Sequence, residues 1–154
     1  MPYPIRYNFI QHFNVAAEKA YKWSIDFSPI DPAIMNEKNQ KREVTKSTDF
    51  TILLKETFHT NKGDIIKEKL VQLYPDKLTW VSTHLSGPNK HSQFIYEISS
   101  KKEDSSQLNF TALHLEYRDH MTEKEVETLA SDLCRYDSNI WKLLAKAMEK
   151  EIDY

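Results

Sequence analysis

The chain has 154 residues, 40% of them hydrophobic, which is enough for one domain with a real core and ordinary for a globular protein. Its 21 basic and 23 acidic residues leave a formal net charge of −2, so it carries no electrostatic footprint for a nucleic acid or an anionic membrane. A single cysteine, Cys134, excludes an intramolecular disulfide. Two glycines, Gly63 and Gly87, are too few for a phosphate loop or a dinucleotide fingerprint, and no cofactor is expected.

No apolar run approaches the roughly 18 residues of a membrane span, and the N-terminus lacks the charged and then apolar layout of a secretory signal. The expectation is a cytoplasmic protein with no integral membrane segment. From the N-terminus, Ile5, Tyr7, Phe9 and Phe13 alternate with Arg6, Asn8 and His12, a period of two that predicts a half-buried strand over Ile5–Phe13. Asn14 or a neighbour is expected to cap a short helix over Val15–Ile25, with Ala17, Ala20, Tyr21 and Ser24 on its inner face. Ser28-Pro29 stops that helix. Asp31-Pro32 opens a second short one, where the missing proline N–H costs nothing in the first turn.

Six strand-like runs follow: Arg42–Lys46, Phe50–His59, Asp64–Tyr74, Leu78–Leu85, Ser92–Lys101 and Gln107–Arg118. Turn-forming residues separate them, notably Asn61-Lys62-Gly63, Pro75-Asp76-Lys77 and Ser86-Gly87-Pro88-Asn89, and strands joined so tightly must be antiparallel. Lys38, Lys41, Arg42 and Lys46 form a small basic cluster, read here as solvated surface.

The last fifth, Met121–Ile152, is one helical pattern. Thr122 followed by Glu125 is a capping box, and neither glycine nor proline interrupts the roughly 45 Å rod that follows. At 100° per residue, Val126, Leu129, Ala130, Leu133, Ile140, Leu144, Ala147 and Met148 gather on one side with Trp141 at the margin. Asp137 falls on this apolar stripe. A carboxylate there must find a partner or face a wet cavity.

The order strand, two helices, six antiparallel strands and one long helix predicts an α+β helix-grip fold: a curved antiparallel sheet of about seven strands wrapped around a long C-terminal helix. This order, with FNVAAEKAYKWSIDFSPID (Phe13–Asp31), YPDKLTWVSTHLSGP (Tyr74–Pro88) and the amphipathic end, resembles the helix-grip superfamily of START, polyketide-cyclase and pollen-allergen-like domains. The resemblance covers essentially all of residues 1–154, read as one domain. It implies a cavity between sheet and helix that holds an apolar small molecule such as a lipid, sterol or polyketide. Some members are cyclases or dehydratases, and others bind proteins.

Strand parity supplies the candidate site. Glu56 and Phe58 share the face of Phe50, Ile52 and Leu54, so Glu56 points inward. On the last strand Leu108, Phe110, Ala112 and His114 share one face, while Leu113, Leu115 and Tyr117 make the opposite one equally apolar, so its second half either bulges or is buried on both sides. If His114 faces inward, then Glu56, His114 and Asp137 form a polar end to an aromatic pocket. The candidate ligand-binding residues are therefore Glu56, Phe58, Trp80, Phe94, Tyr96, Phe110, His114, Tyr136, Asp137 and Trp141. For each of them, ordinary packing or structural hydrogen bonding is the competing reading. The six histidines have no HExxH spacing and no cysteine cluster, so no metal is expected, and Cys134 reads as a small packing residue. The sequence leaves three functions open: a carrier of an apolar small molecule, a cyclase or dehydratase using the inward acids, and a protein-interaction module.

Overall fold

A computed structural model describes residues 1–35, 37 and 39–152, and for Lys46 the backbone only. Its elements follow the predicted order: β1 (Tyr3–Phe13), α1 (Ala17–Ser24), α2 (Asp31–Ile34), β2 (Gln40–Ser47), β3 (Thr51–Thr60), β4 (Gly63–Tyr74), β5 (Thr79–His84), β6 (Gln93–Lys102), β7 (Ser105–Glu116) and α3 (Glu123–Ile152). Every strand lies within two residues of its expected bounds. The seven strands form one antiparallel sheet in the order β1-β7-β6-β5-β4-β3-β2. The chain therefore begins at one edge of the sheet and returns at the other, with α1 and α2 carrying it across the open side.

Period-two burial explains the inner face. Ile5, Tyr7 and Phe13 on β1, Ile52, Leu54 and Glu56 on β3, and Leu108, Phe110, Ala112 and His114 on β7 are all buried. On β7 the pairing with β1 runs unbroken from Ser106 to Glu116, so no bulge turns the strand over. His114 thus faces inward and Leu113 is exposed, which settles the parity of that strand.

Thr122 Oγ1 accepts the Glu125 N–H at 3.1 Å and starts α3. The far end is tied to the rest of the chain: Glu149 accepts the Asn14 N–H at 2.9 Å, and Glu151 accepts the Trp23 indole N–H at 2.7 Å. Within the sheet, α3 packs most extensively on β1. Only its second half is sealed. Trp141, Leu144, Ala145 and Met148, spaced as i, i+3, i+4 and i+7, are buried, whereas Val126, Leu129, Ala130, Leu133 and Ile140 are half-buried. Around Leu133 and Ile140, in the middle of the helix, open space remains between helix and sheet.

Four local expectations are corrected. Phe50 does not join the inner face of β3; it lies in the preceding bend and is 61% exposed, because the strand starts one residue later. Asn14 does not cap α1. The N-cap is Ala16, without a side-chain bond, and the Asn14 backbone is engaged by Glu149 instead. Trp141 is not marginal but central, and Ala145 is buried where Ala147 is only partly so, a rotation of the sealed stripe towards Trp141. Of the basic cluster, Lys41 is exposed as read, but Arg42 points inward and is buried in ion pairs; Lys38 and the Lys46 side chain lie outside the described residues.

Candidate functional site

The space under the middle of α3 is a cavity of about 390 Å³. Its walls come from the inner faces of β1 to β7, from α1 and α2, and from Leu133, Tyr136, Asp137, Ile140, Trp141 and Leu144 of α3. The apolar part is an aromatic cluster. Trp80 and Tyr96 stack with ring centroids 4.6 Å apart and planes within 4°, Phe110 meets Tyr96 edge-on at 5.1 Å, and Trp141 sits 6.3 Å from Trp80 and 5.9 Å from Tyr96. Phe94 lies 6.0 Å from Phe110, so neighbouring strands present a continuous aromatic floor.

The polar part has five separate groups. The first is centred on Glu56, which is 1% exposed. Its carboxylate accepts from the Gln40 amide and pairs with Lys69 and, at 3.3 Å, with Arg42, while Arg42 also pairs with Asp31 at 2.9 Å. Register explains the grouping, since Arg42 and Lys67 sit directly across from Glu56 on the two flanking strands. Burial alone would raise the Glu56 pKa, but the positive charges of Lys69 and Arg42 hold it down to about 2. Asp31 goes the other way. Burial outweighs its contact with Arg42 and raises it to about 6.

In the second group, the Tyr7 hydroxyl donates to Asp137 Oδ2 at 2.5 Å. Burial raises the Asp137 pKa, against the opposing pull of this hydrogen bond and of the positive charges near it; burial and the neighbouring carboxylate together raise that of Tyr7. In the third, His114 Nε2 donates to Glu116 at 2.9 Å. Across the cavity, His84 Nδ1 donates to Asn89 at 3.0 Å, and burial together with nearby Lys69 lowers the His84 pKa to about 3, which keeps the ring neutral. At the rim the Tyr136 hydroxyl donates to Glu37 and so bridges α3 to the connection before β2.

All ten candidate residues border this one cavity: Glu56, Phe58, Trp80, Phe94, Tyr96, Phe110, His114, Tyr136, Asp137 and Trp141. Tyr136 does so from the edge, being 54% exposed. Glu56, His114 and Asp137 share the space but no hydrogen bond joins them among the described residues, because each is held by its own partner. Sequence reading missed Tyr7, Asp31, Arg42, Lys67, Lys69 and His84, which also line the wall. A signal existed for four of them: Tyr7 has the parity of Ile5 and Phe13 on β1, Lys67 and Lys69 that of Val71 and Leu73 on β4, and His84 that of Trp80 on β5, and that parity makes them inward. Cys134 donates weakly to the Asn8 carbonyl at 3.6 Å, consistent with packing. Among the described residues, no three His, Cys, Asp or Glu side chains gather as a metal set, and no helix is long and apolar enough to cross a membrane.

No family model matches the chain, and no curated protein matches it in sequence. Solved structures do match it in shape. The Zhui aromatase/cyclase from Streptomyces sp. R1128 superposes with a TM-score of 0.77 at 12% identity, over 97% of this chain and 96% of that one. Ara h 8.0201 gives 0.71 at 12% identity over 95% and 98%. A START superfamily protein from Mycobacterium smegmatis gives 0.66 at 13% identity over 96% and 97%. The chain thus has the helix-grip fold of START-like, aromatase/cyclase and allergen domains, and at these identities the likeness is one of fold.

Proposed function

We propose that this protein, acting as a single domain, binds or carries a small hydrophobic molecule between its sheet and the middle of α3. The observation that carries this reading is the cavity itself. Leu133, Tyr136, Asp137, Ile140, Trp141 and Leu144 of α3 roof a space of about 390 Å³ floored by stacked aromatic rings. That volume is in the range of small-molecule sites, which combine apolar walls with a few orienting polar groups. A core that served only for stability would close this space, because unfilled volume costs stability.

The test is native mass spectrometry of gently purified protein together with titration by the neutral fluorophore N-phenyl-1-naphthylamine. A co-purifying apolar mass, or one saturable site for the probe, is the expected result. Neither mass nor saturation would favour a protein-interaction module, the reading in which the helix-grip serves as a scaffold for a protein partner.

A second reading, an enzyme of the cyclase or dehydratase kind, draws on the Tyr7–Asp137 pair: a short hydrogen bond on the cavity wall to a carboxyl whose pKa is raised. The two readings separate at Asp137. Asp137→Asn preserves an acceptor for Tyr7 and should leave both the melting temperature and probe binding close to wild type; in the enzyme it would abolish turnover without releasing ligand. Asp137→Leu removes the acceptor and should cost about 1–3 kcal/mol in denaturant unfolding, with probe affinity nearly unchanged. Loss of binding in both variants at unaltered stability would instead make Asp137 an orienting contact to the ligand.

A further inference from the structure

We propose that Lys67 is an anion-recognition residue, so that the preferred ligand is an apolar, largely aromatic molecule carrying one negatively charged group. This deepens the ligand-binding reading above and rests on it. Three cations face the polar end of the cavity, and two are already committed: Arg42 to Asp31 and Glu56, and Lys69 to Glu56. Lys67 is the one left over. It stands directly across from Glu56 in the β3–β4 register, yet that carboxylate is turned to Gln40, Arg42 and Lys69. Among the described residues no carboxylate lies within 4.0 Å of Lys67 Nζ. The other acids on the wall are engaged elsewhere, Glu37 by Tyr136, Asp137 by Tyr7, and Glu116 by His114 and Arg118.

The lysine is also held in place. Its ammonium lies over the Phe58 ring, 5.1 Å from the centroid, where the ring face favours a cation. Its stem passes under the β5–β6 loop at Gly87, whose φ is +96° and where an added Cβ would come within 2.9 Å of Lys67 Cγ. Only a glycine allows the loop to close over the stem in this way. The result is a clamped, unpaired ammonium beside an aromatic floor. Burial and nearby Lys69 lower its pKa, and the charges of Glu56, Asp137 and Glu37 offset this only in part, so an anion in direct contact would further stabilise the ammonium.

The test uses two probes with the same ring body, 1-anilinonaphthalene-8-sulfonate and the neutral N-phenyl-1-naphthylamine. Wild type should bind the sulfonate at a single site at least about tenfold more tightly than the amine, the scale of a hydrogen bond to a charged group. Lys67→Met should lose about that factor for the sulfonate and leave the amine within about twofold, while Lys67→Arg should retain the sulfonate preference. Lys67→Gln is a second neutral variant if Lys67→Met no longer binds the amine. Equal sulfonate affinity in wild type and a neutral variant, with the amine still saturable, overturns the role of Lys67 and leaves the cavity reading standing. If neither probe saturates wild type and no apolar mass co-purifies, the cavity reading falls, and this one with it.

Discussion

Glu56→Gln should destabilise the fold by about 3–5 kcal/mol, as expected when one partner of a buried ionic network is removed and the others stay buried. The substitution conserves shape, so no cavity confuses the result. It leaves Lys69 without its pairing carboxylate and Arg42 with Asp31 alone. Urea unfolding at pH 7 measures the loss, and a change below about 1 kcal/mol would mean that Lys69 and Arg42 reach water without Glu56.

The same carboxylate fixes the acid limb of the stability profile. Its folded pKa, about 2, is below the ordinary 4.5, so its contribution is fully present above pH 4.5 and is lost as pH falls from there through 2. Among the groups with large shifts, two others titrate across the top of that window and above it, with opposite signs. His84, lowered to about 3, costs stability as pH falls below its ordinary 6.5, because only the unfolded chain then takes up the proton. Asp31, raised to about 6, adds stability as pH falls from 6 towards its ordinary 3.8. The wild-type profile should therefore be shallow down to about pH 4.5 and steep below it. In Glu56→Gln the steep limb should flatten to the part owed to His84.

Trp80→Ala should be as damaging, by about 3–5 kcal/mol, the cost typical of truncating a large buried aromatic. Trp80 is 2% exposed and touches Tyr21, Tyr96 and Trp141 with centroid separations of 5.9, 4.6 and 6.3 Å. Its removal unsupports the aromatic floor and also the α3 residue where sealing begins. Trp80→Phe, which keeps a ring in the stack, should recover much of the loss. If Trp80→Ala unfolds at nearly the wild-type urea midpoint, the ring is a cavity lining rather than a structural support, and probe affinity becomes the quantity to measure.

Much of this architecture is legible in local pattern. Thr122 and Glu125 start a long helix, and the absence of glycine and proline lets it run to Ile152. Period-two alternation turns Glu56, Phe58 and Phe110 inward, and short turns make consecutive strands antiparallel. These signals survive in the sequence because they depend on residues a few positions apart. The parity of β7 beyond Ala112 was not legible, since both faces are apolar there and only the unbroken pairing with β1 selects one.

What the tertiary structure alone decided is the charge of the cavity and where α3 leaves room for it. Arg42 lies among polar residues in a segment that reads as surface, and nothing near it in sequence announces a partner; Glu56, 14 residues away, becomes its neighbour only when β2 pairs with β3. Lys69 reaches the same carboxylate from β4, and among the described residues Lys67 is left without a carboxylate partner because Arg42 and Lys69 have taken it. The apolar stripe of α3 likewise does not reveal that its middle turns, Leu133 to Leu144, roof the cavity, because that depends on which strand faces lie opposite them. Local periodicity determines which way a side chain points, while register and packing across the sheet determine what it meets there.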